Sequence, residues 1–81
     1  MTVTVRLFAR AKDLAGADVL SVVLPDGARI ADLRRGLAAE HPRLATLLGR
    51  SALAVNEEFA DDSLPLSPET DVALLPPVSG G

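Results

Sequence analysis

The sequence contains no cysteine, tryptophan or tyrosine, and only two phenylalanines and one histidine. Without cysteine there are no disulfide staples, no zinc-ribbon sites and no thiol nucleophile. A single histidine, His41, argues against a multi-histidine metal centre. Its place beside Pro42 at a helix end fits a surface or capping role. Aromatic stacking partners are almost missing and the bases are scattered along the chain, so nucleic acid is not expected as a partner. No apolar run reaches the roughly 18–20 residues that cross a bilayer, and no membrane association is expected. The opening Met1-Thr2-Val3-Thr4-Val5-Arg6 lacks the basic-then-apolar order of a secretory signal. A soluble, cytoplasmic protein is the expectation.

Bases are also missing from the last third. Residues 1–50 hold all eight bases and five of the eleven acids, a formal +3, whereas residues 51–81 hold six acids and no base, a formal −6. Most of these charges read as solvated surface, although an acidic C-terminal third also has the sign to steer a basic partner. The pairs Glu57-Glu58 and Asp61-Asp62 match no metal-ligand spacing, so neither a metal nor a bound cofactor is expected.

What is present is one small globular domain: 81 residues, 48% hydrophobic and 23% charged. At this length folding buries only about 60–65% of the surface of the unfolded chain, so the core is modest. Thr2 to Phe8 alternates, with Val3, Val5 and Leu7 on one side and Thr2, Thr4, Arg6 and Phe8 on the other, which predicts a half-buried strand. Ala9 to Ala15 is rich in helix formers and Gly16 follows as a C-terminal cap. Asp18 to Leu24 reads as a strand stopped by the turn Pro25-Asp26-Gly27.

The period then changes. Ile30, Leu33 and Leu37 make one apolar face, with Arg34, Arg35 and Glu40 opposite, an amphipathic helix that ends before Pro42. Its start is poorly marked, because Arg29 stands where a capping Ser, Thr or Asp belongs. Asp32 in the first turn compensates partly through the helix dipole. Leu44, Leu47 and Leu48 suggest a further short helical stretch closed by Gly49. Ala52 to Asn56, Glu58 to Ala60 and Val72 to Leu75 read as short strands. One sizeable helix among about five strands packs most economically across one face of a mixed sheet. That is an α+β class, and the β-grasp, or ubiquitin-like, arrangement satisfies the order. The expected division is a domain over residues 1–75 and an extended tail over 76–81.

The sequence ends Leu74-Leu75-Pro76-Pro77-Val78-Ser79-Gly80-Gly81. Pro76 and Pro77 remove two amide donors and favour an extended exit from the sheet. Gly80 and Gly81 lack side chains, which suits passage through a channel too narrow for a β-carbon. A Gly-Gly end alone is also what a frayed terminus looks like. Strand parity adds that, if Val3, Val5, Leu7, Val72 and Leu74 face the helix, Phe8 and Leu75 face away from it. The strand around Phe59 is too short for parity to place that residue.

Three blocks carry a resemblance: Leu7-Phe8-Ala9-Arg10-Ala11-Lys12-Asp13-Leu14-Ala15-Gly16, Ala54-Val55-Asn56-Glu57, and Asp71-Val72-Ala73-Leu74-Leu75-Pro76-Pro77-Val78-Ser79-Gly80-Gly81. Together they resemble the sulfur-carrier family that includes the small subunit of molybdopterin synthase, over essentially the whole chain. The resemblance implies a carrier whose terminal Gly81 is adenylated by an ATP-using enzyme similar to ubiquitin-activating enzymes, then converted to a thiocarboxylate. It implies that the large synthase subunit binds the tail and passes the sulfur to a cyclic pterin phosphate precursor, in a heterotetramer of two small and two large subunits. On this reading the chain has no catalytic side chain of its own. Gly81 carries sulfur, Gly80 keeps the tail thin, and Pro76, Pro77, Val78 and Ser79 hold it extended. The resemblance also assigns Phe8, Phe59 and Leu75 to partner contacts.

Three other readings compete. A ubiquitin-like modifier joined to lysines through Gly81 would start from the same adenylate; Lys12, the only lysine, leaves little scope for branched self-conjugates. The thiazole-synthesis sulfur carrier is a related branch that is generally shorter and lacks the Phe8-to-Gly16 block. The third is an interaction domain whose Gly-Gly end is accidental.

Overall fold

The computed structural model describes residues 1–77. The chain runs β1 (Thr2–Leu7), α1 (Ala9–Ala15), β2 (Val19–Val23), α2 (Ile30–Glu40), a 3-10 turn (Pro42–Leu44), α3 (Ala45–Leu48), β3 (Ala52–Val55), β4 (Glu58–Ala60) and β5 (Val72–Leu75). The five strands form one sheet in the order β2-β1-β5-β3-β4, with β1 and β5 parallel and every other pair antiparallel. Each predicted element is present, with β1 ending one residue short of Phe8 and β3 one short of Asn56.

Alternation sets the two faces of the sheet. Val3, Val5 and Leu7 of β1, with Val72 and Leu74 of β5 and Leu53 of β3, are buried beneath the helices. Ile30, Leu33 and Leu37 of α2 meet them, and Leu44 and Leu48 close the same core. Burying each large apolar side chain stabilises the fold by about 1.5–3 kcal/mol, which is why α2 lies flat on this face. The close approach has a sequence cause in Gly36. A β-carbon there would sit 3.1 Å from Val22 Cγ1 and 3.4 Å from Leu24 Cδ2, so a side chain at this position would push those two side chains back by a few tenths of an ångström.

Gly16 ends α1 in the left-handed region (φ 70°) and its amide donates to the Lys12 carbonyl at 2.9 Å, as expected of a C-terminal cap. The weakly marked start of α2 is resolved by distant chain. The amides of Ile30 and Ala31, which have no partner inside the helix, donate to the carbonyls of Leu64 and Asp62, both at 3.0 Å. Asp32 adds a local contact, its Oδ2 accepting the Arg29 amide at 2.8 Å. That hydrogen bond, helped by Arg35, holds the Asp32 carboxyl below the usual carboxylate range. Arg34, expected on the solvent face, instead braces three segments. It donates to Asp62 Oδ1 at 2.9 Å, to the Leu48 carbonyl at 2.6 Å and to the Ser51 carbonyl at 2.9 Å.

Candidate functional site: the outer sheet face and the root of the tail

β5 is the middle strand, so the chain leaves the sheet from its centre, between β1 and β3. Pro76 and Pro77 follow directly, and neither supplies an amide to extend the ladder. Val78, Ser79, Gly80 and Gly81, the predicted sulfur-bearing end, lie outside the described residues.

The sequence-predicted contact residues surround this exit on the face away from α2. Phe8 continues the extended backbone of β1 (φ −131°, ψ 155°) and is 41% exposed. Leu75, half-buried, pairs with Ala52 across the sheet, and parity puts both on the outer face. Phe59, which parity alone did not place, pairs with Ala54 and is 79% exposed on that same face. Ala52, Ala54 and Ala73 make up a floor of small residues on this face between Leu75 and Phe59, with Ala54 and Ala73 already buried. From Phe8 to Phe59 the face spans three strand spacings, about 14 Å. An aromatic at each end of a small-residue floor is an unsatisfied apolar surface suited to a partner.

Phe8 is held in place. The Arg6 guanidinium lies 5.8 Å from its ring centroid. Arg6 is itself clamped by Asp71, whose two carboxylate oxygens accept from Nε at 3.0 Å and Nη2 at 2.8 Å. Ala9, next in the chain, adopts φ 50°. This left-handed corner is the first residue of α1, directly after the outward Phe8, and a residue with a β-carbon is strained there.

A second feature adjoins the exit. A groove of about 850 Å³ is walled by α1, by the 3-10 turn with α3, and by Pro76 and Pro77. Leu14 and Leu47 are part of its lining, as are Arg10, Arg43 and Arg50, with Asp13 the one acid. The bases scattered in sequence are thus partly gathered in space. Arg43, Leu47 and Arg50 stand at i, i+4 and i+7, a spacing that puts them on one helical face; that pattern was the available signal for one wall.

Three of the six acids in the C-terminal segment are engaged in structure. Asp62 pairs with Arg34 and Asp71 with Arg6. Asp61 accepts from the Ser63 hydroxyl and amide, which keeps its carboxyl below the ordinary range. Among the described residues no cluster of three or more His, Asp or Glu side chains is placed to hold a metal. No helix among the described residues is long and apolar enough to cross a membrane.

A mixed five-stranded sheet with one main helix across it, and its last strand in the centre, defines the β-grasp, ubiquitin-like class. Within that class the chain belongs to the ThiS family, whose model matches residues 5–81. It is 34% identical over 83 residues to the molybdopterin synthase sulfur carrier subunit of Chlamydomonas reinhardtii, covering 100% of both chains. Among solved structures it is similar to SAMP1, a small archaeal modifier protein of Haloferax volcanii, with a TM-score of 0.88, 26% identity and 100% of both chains covered. It is also similar to a chain in the complex of subunits 1 and 2 of the molybdopterin-converting factor from Helicobacter pylori, with a TM-score of 0.71, 30% identity and 100% of both chains covered.

Proposed function

We propose that this protein is the sulfur carrier subunit of a molybdopterin synthase. The observation that carries the reading is full-length similarity to a sulfur carrier subunit, with the family match running through Gly81. The tail chemistry supplies the mechanism. An α-carboxyl group has a pKa of about 3.5, so at neutral pH Gly81 presents a carboxylate that resists nucleophiles. A carboxylate oxygen attacks the α-phosphorus of ATP on an activating enzyme, pyrophosphate leaves, and an acyl-adenylate forms. Sulfide delivered by a sulfur donor then attacks the acyl carbon and AMP departs, leaving a thiocarboxylate. On the large subunit that sulfur attacks an oxygen-bearing carbon of the cyclic pterin phosphate. The carbon–oxygen bond breaks with the oxygen leaving on phosphate or as water, and water cleaves the acyl–sulfur bond to restore the carboxylate. A dithiolene needs two sulfurs, hence two carriers. Gly80 and Gly81 add no side chain to the part that enters the partner's site. Phe8, Phe59 and Leu75 dock the domain on the large subunit.

The likeness to a modifier supports a second reading, in which the same adenylate ends in an isopeptide bond to a lysine. Intact-mass analysis separates the two. The carrier is expected to leave cells partly as a species heavier by the oxygen-to-sulfur difference, lost when the activating enzyme is deleted. Incubation with large subunit and precursor is expected to return it to the carboxylate mass. Deleting Gly81, or adding one alanine after it, is expected to abolish adenylate formation with the fold intact. Abundant lysine conjugates without thiocarboxylate, or full activity of the extended chain with no trimming, would overturn the assignment.

A further inference from the structure

The chain has eight basic side chains, and their fates divide sharply. Arg6, Lys12, Arg34 and Arg35 are each ion-paired with an aspartate, and Arg29 donates to the Ser63 carbonyl. The remaining three, Arg10, Arg43 and Arg50, have no ion pair among the described residues, and all three line the groove beside Pro76 and Pro77. Asp13 is the one carboxylate in the same lining and is ion-paired with none of the three among the described residues. Three guanidiniums thus outnumber one acid on this surface and repel one another, by an amount that solvent screening keeps small. They are therefore available to an external anion. The groove also has apolar lining from Leu14 and Leu47, so it suits a peptide segment that carries both acids and an apolar side chain.

We infer that this groove is the seat for an acidic segment of the enzyme that adenylates the tail. The inference rests on the carrier reading above. Gly81 is the fourth residue after Pro77, and four residues reach at most about 14 Å. An enzyme that acts on the Gly81 carboxylate must therefore cover the ground beside the groove wall. Charge favours the adenylating enzyme over the other tail-binding partner, because the triphosphate of ATP carries several negative charges and a cyclic phosphate only one. The adenylation reaction brings a carboxylate, on a chain of net charge −3, up to that triphosphate. Three guanidiniums at the root of the tail, paired with carboxylates of the enzyme, hold the domain in place against that repulsion and keep the tail directed at the nucleotide. The encounter must also be brief, since the carrier leaves after each activation. Exposed charges raise association rates without the deep apolar burial that slows dissociation.

The test compares Arg43→Glu and Arg50→Glu, singly and together, with Arg35→Glu on α2 as a charge-matched control. Each is assayed with the activating enzyme from the same genome by ATP–pyrophosphate exchange, and with the large subunit by titration. The double variant is expected to raise KM for the carrier about tenfold or more in about 50 mM salt, with kcat nearly unchanged and the gap closing in about 0.5 M salt. Arg35→Glu is expected to stay within about twofold, and affinity of the double variant for the large subunit likewise. The milder pair Arg43→Ala and Arg50→Ala repeats the test without reversing charge. Unchanged KM in the double variants while the wild type is adenylated would remove the seat and leave the carrier reading standing. A loss confined to the large subunit would overturn the assignment to the activating enzyme. A wild-type chain that is never adenylated would overturn both.

Discussion

At the scale of single residues, backbone strain is concentrated in two places. Ala9 adopts φ 50° where β1 turns into α1, between the outward Phe8 and the groove residue Arg10. Asn56 and Glu57 adopt φ 51° and 71° in the two-residue turn joining β3 to β4. Two successive positive φ values define the type I′ hairpin, whose twist matches the strands but whose second position wants glycine. Asn56 is well suited, because its Oδ1 accepts the Asp71 amide at 3.2 Å while its own amide donates to the Asp71 carbonyl at 2.9 Å. Glu57 has no such compensation among the described residues. Glu57→Gly is expected to stabilise the protein by about 0.5–1 kcal/mol, relief of strain outweighing the added freedom of the unfolded chain. Urea unfolding should show a higher midpoint at unchanged slope; a lower midpoint would show that the turn favours a side chain.

Among the elements, α2 depends on its neighbours more than its length suggests. Its first amides end on carbonyls of the loop before β5, and its middle is tied to the end of α3 by Arg34. Arg34 is 24% exposed, so truncating it takes the Arg34 donor from the partly buried Ser51 carbonyl and leaves the Leu48 carbonyl only the longer contact from the Ser51 amide at 3.3 Å. Arg34→Ala is expected to cost about 1–3 kcal/mol, read as a lowered urea midpoint. Asp62→Ala removes only the more exposed contact, 62% exposed at the aspartate, and should cost about 1 kcal/mol or less. Equal losses from the two variants would mean that the ion pair, and not the carbonyl brace, is what matters.

At the scale of the whole molecule, the strand order places two chemically different surfaces around one exit. The outer sheet face offers Phe8, Leu75 and Phe59 over an alanine floor, and the groove offers guanidiniums. Docking through the sheet face predicts that Phe59→Asp weakens binding to the large subunit about tenfold or more, since a desolvated aromatic anchor is worth about 2 kcal/mol. Stability should change by about 0.5 kcal/mol or less, because the ring is already 79% exposed. Calorimetric titration gives the affinity and thermal unfolding the stability. Unchanged affinity would remove Phe59 from the interface, whereas unfolding would show that the exposed ring packs against the fold after all.

Local pattern was enough to determine much of this protein. Alternation from Thr2 to Leu7 decides that Val3, Val5 and Leu7 are core and that Phe8 points outward, because successive side chains of a strand leave on opposite sides. The 3.6-residue period decides which face of α2 is buried, and Gly16 decides where α1 ends. These depend on near neighbours, so they are written in short stretches of chain. Tertiary structure decided the rest. Phe59 reached the outer face only through its pairing with Ala54, since three residues of β4 show no period. α2 begins at Ile30, without a capping side chain at Arg29, because the carbonyls of Asp62 and Leu64 come to its amides across the fold. Arg10, 33 and 40 positions before Arg43 and Arg50, joins them only once α1 and α3 pack beside the central strand. Those arrangements need the closure of long loops, and short-range sequence pattern does not record which distant partners a closed loop brings together.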